Sequence, residues 1–382
     1  MDIFWYLPTQ GDERYLGTPR LRRKPTFDYL TQVARAVDHL GFEGMLIGTG
    51  TKLDPFTVAS ALAPLTRRVK FLVAQRPSIL TPALSARSTA SLDQISNGRI
   101  LLNIVTGGST TQLEGDGIFH SHDERYEITD EFLAIWRGVF GEEPFSFEGK
   151  HLSIKNGKQQ LEPVQKPYPP IYFGGSSDAA LEVAAKHVDV YLTWGEPPAE
   201  AAQKIQRVRE LASQQGRTVR FGVRAYIIVR ETDEEAYRVA NALIQHVTDE
   251  QIERAQAAFA KSESEGQQRL ARLYTGDRSN LELHPHLWAG VGLVRGGAGT
   301  AFVGSAESVY GLLQEYEALG VDTFVLSGYP ALEEAYWTAE LLFPLIPGKY
   351  QSDIAGEVSG GAQVDASNVD ITANPHPKFI AS

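Results

Sequence analysis

The stretch IYFGGSSDAA, residues 171–180, decides how the rest of the chain is read. Three apolar residues suggest a strand, Gly174-Gly175 a tight turn, and Ser176-Ser177 the start of a helix. A turn from strand to helix leaves backbone N–H groups unpaired at the helix start. Together with the positive end of the helix dipole, these groups favour an anion such as a phosphate. The glycines allow a ligand to approach the backbone, and the serine hydroxyls add donors. A serine N-cap after a tight turn explains the same residues with no ligand at all. The position of the stretch among the other elements bears on the choice.

On its N-terminal side, short apolar segments at 3–7, 44–47, 70–74 and 100–105 alternate with helical spacing at 27–39, 55–65, 82–95 and 129–140. On its C-terminal side, segments at 190–193, 220–229 and 323–327 alternate with helical stretches at 177–187, 198–215, 233–260 and 306–319. Short Val-, Ile- and Leu-rich strands suit a parallel sheet buried on both faces, and eight strand–helix units predict a TIM (β/α)8 barrel. No G-x-G-x-x-G follows the first strand, which weakens the alternative of a doubly wound open sheet. Residues 1–346 are expected to form one domain, with an excursion at about 141–170 and a glycine-rich lid insertion at about 261–304. Residues 347–382, rich in Gly, Ser, Ala, Asn and Asp, are expected to be a flexible tail.

A net charge of −11 argues against a general nucleic-acid or anionic-membrane surface. The chain has no cysteine, which removes disulfides, thiolate metal sites and Cys nucleophiles. The start, MDIFWYLPTQGD, has no signal-peptide pattern, and no window is apolar enough for a membrane span. The expectation is a cytoplasmic protein.

A barrel builds its site from the loops after its strands. Those loops collect Thr9, Gln10, Thr49, Ala74, Arg76, Asn103, Ser176, Ser177, Trp194, Arg224, Tyr226 and Tyr329, with Arg295 among the glycines of the lid. Arg224 and Tyr226 share one strand face. The set is rich in amides, hydroxyls, aromatics and guanidiniums, and poor in the acidic or His clusters of a metal site, so no metal is expected. His120 and His122 lie in a polar loop, and no G-x-S-x-G elbow is present. Such a set suits a cofactor that does the chemistry itself. The structural alternatives are barrel packing for Trp194, space filling for Tyr226, a bridge from Arg224 to Glu196, and a solvated lid charge for Arg295.

The motifs FWYLPTQGD, FLVAQRPS, LDQISNGR, NIVTGG, ERYE, YPPIYFGGSSD, DVYLTWGEPP, LWAGVGLVRGGAGTAFVG and LSGYPALEEAY together resemble the bacterial-luciferase-like flavin monooxygenases. Within that family they resemble the alkanesulfonate monooxygenases, over about residues 1–345. The resemblance implies a homotetramer or homodimer. It also implies a two-component system in which a separate NAD(P)H-dependent FMN reductase delivers FMNH2. The enzyme would use O2 to cleave the C–S bond of a small organosulfonate, releasing sulfite and an aldehyde. By the same resemblance the FMN phosphate lies near Tyr126, Ser176 and Ser177, and the ring near Thr49, Ala74 and Asn103. Gln10, Trp194, Arg224, Arg295 and Tyr329 would meet the substrate, with Arg224, Tyr226, Arg295 and Tyr329 carrying catalysis. Guanidinium forks match the oxygens of a sulfonate.

The chain departs from the family pattern, which has histidines at the positions of Gln10, Tyr226 and Ala331 and a cysteine near Lys52-Leu53-Asp54. These departures imply a shifted substrate. They also leave open a luciferase-like flavin or deazaflavin oxidoreductase acting on a non-sulfonate, or a non-catalytic flavin-binding barrel.

Overall fold

The computed structural model describes residues 1–348, apart from 51, 275–277 and 279. The expected tail therefore lies outside the described residues from 349 onward.

Eight parallel strands close on themselves. They are β1 (Asp2–Tyr6), β2 (Gly44–Ile47), β3 (Lys70–Gln75), β4 (Ile100–Ile104), β5 (Ile171–Phe173), β6 (Val190–Trp194), β7 (Arg220–Arg230) and β8 (Val321–Ser327). Each pairs with the next, β8 pairs with β1, and the ring is complete. This is the TIM barrel expected from the alternation.

Side-chain parity along the strands divides the core in two. Phe4, Leu46, Leu72, Leu101, Tyr172, Val190, Leu192 and Val325 fill the barrel interior. Their neighbours, such as Ile3, Trp5, Phe71, Val73, Leu102 and Phe173, pack outward against the helices. Continuing the inner parity toward the carboxyl ends brings Tyr6, Ala74, Asn103, Trp194 and Arg224 to the mouth.

Three helical readings are corrected. The polar run before Tyr126 is the first turn of a helix, His122–Gly138, because Ser121 and Glu124 form a capping box. The expected single helix over 233–260 is two, Asp233–Ile244 and Asp249–Ala260, since Thr248 and Gln251 build a second capping box. Residues 261–304, expected as a long connection, hold a helix, Glu265–Tyr274, and a strand, Ala301–Ser305. That strand pairs in parallel with β7 from Tyr226 onward, beyond the last β6 partner at Arg224. Residues Phe145–Glu148 and Ser153–Gly157 pair as an antiparallel hairpin outside the barrel. No helix among the described residues is long and apolar enough to cross a membrane.

Candidate active site

The turn after β5 takes its shape from packing. A Cβ on Gly174 would lie 2.8 Å from the carbonyl oxygen of Leu192, and one on Gly175 2.6 Å from Cβ of Ala180 and 3.3 Å from the Tyr126 hydroxyl. Only glycine fits at both. Ser177 caps the helix Asp178–His187 by accepting from the Ala180 N–H at 3.3 Å. The N-cap reading of Ser177 therefore holds, and its own O–H has no acceptor among the described residues. Ser176 is left with its hydroxyl at the surface of a cleft of about 530 Å³.

That cleft brings together five of the expected residues, Thr49, Tyr126, Ser176, Ser177 and Trp194, with Gly174, Gly175 and the Gly107-Gly108 turn after β4. Ala74 lines an adjoining recess that shares Thr49, and Asn103 is its register partner on β4. Gln10 sits on the rim, with its side chain over Gly50 and its carbonyl accepting from Lys52 Nζ at 2.6 Å.

A second group lies across the barrel mouth. The Arg224 guanidinium stacks 4.6 Å from the centre of the Tyr6 ring. Its Nε is buried without a hydrogen-bond partner, and no carboxylate among the described residues pairs with it. The considered bridge to Glu196 does not form. Glu196 is instead held by Lys204 at 3.0 Å and by Arg269 at 3.1 Å. Burial lowers the Lys204 pKa, and the Glu196 charge opposes that shift. Tyr226 and Tyr329 stack with ring centres 5.2 Å apart and hydroxyls at 3.3 Å. Burial, reinforced by Tyr226, raises the Tyr329 pKa well above the ordinary value, so its hydroxyl stays protonated at neutral pH.

Arg295 does not line the cofactor-sized cleft, although the next two residues, Gly296 and Gly297, do. Its guanidinium pairs with the buried Glu13 carboxylate, which also holds Arg22 at 2.9 Å, and lies 6.0 Å from the Tyr329 ring. Ala331 is also set by structure. Its N–H donates to Asp12 at 2.9 Å, and its carbonyl accepts from the Trp5 indole at 3.1 Å.

Two residues at the mouth escape a reading of the loops. Tyr6 belongs to a strand, and only its inward parity with Phe4 signals it. Gln267 lies on the insertion helix, where it looks like any solvent-facing glutamine.

A glycine cradle, free hydroxyls and a helix N-terminus beside a deep cleft fit the phosphate end of a flavin mononucleotide. A family model described as luciferase-like monooxygenase matches residues 1–323. Among solved structures, a riboflavin lyase holding a modified FMN and its substrate riboflavin is 20% identical, covering 90% of this chain and 91% of its own, with a TM-score of 0.76. DmoA from Hyphomicrobium sulfonivorans is 19% identical over 90% of this chain and 87% of its own, with a TM-score of 0.71. A long-chain alkane monooxygenase is 20% identical over 90% of each chain, with a TM-score of 0.70.

Proposed function

The chain belongs to the luciferase-like monooxygenase family, and we propose that within it the protein is an FMNH2-dependent monooxygenase that cleaves the C–S bond of a small organosulfonate. A sulfonate, reduced FMN and O2 give an aldehyde, sulfite, a proton, FMN and water. Reduced FMN, delivered by a separate NAD(P)H-dependent reductase, supplies the two electrons that activate O2.

The observation that carries the reading is Arg224. A guanidinium on the inner face of the barrel mouth, with a buried Nε and no carboxylate partner among the described residues, calls for an anion. Trp194, its register partner on β6, belongs to the cofactor-sized cleft, so this cation stands beside the flavin seat. In this reading Tyr126, Ser176 and Ser177 hold the flavin phosphate, and Thr49, Ala74 and Asn103 flank the ring. Arg224 and Trp194 orient the sulfonate, with Gln10 on the rim. Tyr329 is a protonated hydroxyl next to Tyr226, one of the positions at which the family pattern has a histidine, and the pair forms a donor relay. Arg295 joins the sulfonate only by leaving Glu13.

The test is sulfite release from a panel of alkanesulfonates, bulkier sulfonates and sulfones, with FMN, NAD(P)H, a flavin reductase and air. The expected result is O2-dependent sulfite from at least one sulfonate. Turnover of a non-sulfonate without O2 would turn the reading to hydride transfer by a reduced flavin or deazaflavin. Reduced FMN bound with no turnover at all would leave a flavin-binding barrel.

A further inference from the structure

Resting on the reading of Gly175–Ser177 as the seat of a flavin phosphate, we propose that the insertion helix Glu265–Tyr274 forms the other half of that seat. The Gln267 side-chain amide would be its hydrogen-bond donor to the phosphate.

Two helix N-termini meet at this end of the cleft. One belongs to Asp178–His187, behind Ser176-Ser177, and the other to Glu265–Tyr274. They are in contact. A Cβ on Gly266 would lie 3.3 Å from the Ser176 hydroxyl and 3.2 Å from the Trp194 ring. Gly266, Gln267, Ser176 and Ser177 all line the same cleft. Ser264 caps the insertion helix through the Gln267 N–H at 3.3 Å, which leaves the earlier N–H groups of that turn to be met by something else.

The independent observation is the Gln267 side chain. It is only 5% exposed. Its Oε1 accepts from the Gly297 N–H at 2.7 Å. An N–H must face the amide oxygen, so this bond orients the amide. The NH2 end therefore points away from Gly297, and Nε2 is buried with no hydrogen-bond partner among the described residues. A buried amide donor left unsatisfied is costly, and an anion between the two helix ends would satisfy it. The nearby Glu263 carboxylate is engaged by Arg125 at 2.7 Å. The insertion itself is tied down by Arg269 on Glu196 and by Ser262 on the Gly108 carbonyl. In this arrangement the helix Glu265–Tyr274 is part of the cofactor site, and phosphate binding and docking of that helix favour each other.

The test compares FMN with riboflavin, which lacks the phosphate, by fluorescence titration of the full chain. Wild type is expected to prefer FMN. Gln267→Glu keeps an acceptor for the Gly297 N–H but replaces the donor with a negative charge. Gln267→Leu removes both. Both variants should weaken FMN by about tenfold or more, the scale of a lost hydrogen bond to a charged group, and leave riboflavin nearly unchanged. Gln267→Glu should be the weaker FMN binder.

FMN and riboflavin falling in parallel would overturn the proposal, since Gln267 would then only hold Gly297. So would an FMN preference that survives Gln267→Glu, or a loss confined to sulfonate affinity. If wild type binds FMN and riboflavin equally, it is the phosphate seat itself that fails. None of these outcomes depends on sulfite release.

Discussion

Replacing Arg224 by methionine should separate function from stability. The guanidinium lies 4.6 Å from the Tyr6 ring centre, with a buried Nε and no carboxylate partner among the described residues. In the free protein it therefore bears a desolvation cost. The offsetting contact is a cation–π interaction of about 0.5–2 kcal/mol. Methionine keeps much of the stem volume and needs no solvation, so removing an incompletely partnered cation should be neutral or stabilise the fold by about 1 kcal/mol. With an anionic substrate bound, the same group would supply charge-assisted hydrogen bonds of about 1.5–3 kcal/mol each. One such bond lost lowers kcat/KM by about 10- to 150-fold, while FMN affinity stays near wild type. The assays are steady-state sulfite release, flavin titration and thermal unfolding. A variant that turns over at the wild-type rate would refute the anion-anchor role. A variant that melts well below wild type would show that Arg224 is a structural residue.

Gly175→Ala places a Cβ 2.6 Å from that of Ala180. Overpacking of this kind costs about 1–3 kcal/mol, so the variant should unfold earlier and lose FMN binding, as thermal unfolding and flavin titration will show. Glu196→Gln leaves Lys204, whose side chain is 5% exposed, without its counter-charge. A loss of about 3–5 kcal/mol is expected in denaturant unfolding, with weaker FMN binding because Arg269 of the insertion helix shares that carboxylate. His187, held against Asp130 at 2.6 Å, has its pKa lowered below 6.5, first by burial. The unfolded chain then binds the proton more readily, so this group takes away stability as the pH falls from 6.5 through its folded value. In His187→Gln the stability–pH curve should be flatter in that window, as measured by thermal unfolding across pH.

Most of the barrel strands were legible because they are short apolar runs, buried on both faces and bounded by turn residues, whereas β7 is an 11-residue strand that carries Arg224 and Tyr226. The stretch at Ile171–Phe173 is the clearest case. The break between Ile244 and Asp249 was also written in the sequence, as the T-x-x-Q of a capping box, but it lies within continuous helical spacing that hides it. The strand Ala301–Ser305 follows a glycine-rich run, and only its distant partner on β7 reveals it. Arg295 stood out among lid glycines. Its partner Glu13 lies 282 residues away, and nothing local announces that pairing. Gln267 was illegible for another reason. A helix glutamine reads as a solvated residue until its neighbours close over it and leave one amide end unpaired.

The measurement closest to the central claim is a single turnover. The protein, loaded anaerobically with stoichiometric FMNH2 and a sulfonate from the panel, is mixed with aerated buffer, and sulfite is counted against flavin oxidised. The account predicts close to one sulfite per flavin with the preferred sulfonate, and none when O2 is withheld. Flavin oxidised in full with no sulfite from any sulfonate, or sulfite formed without O2, would contradict it.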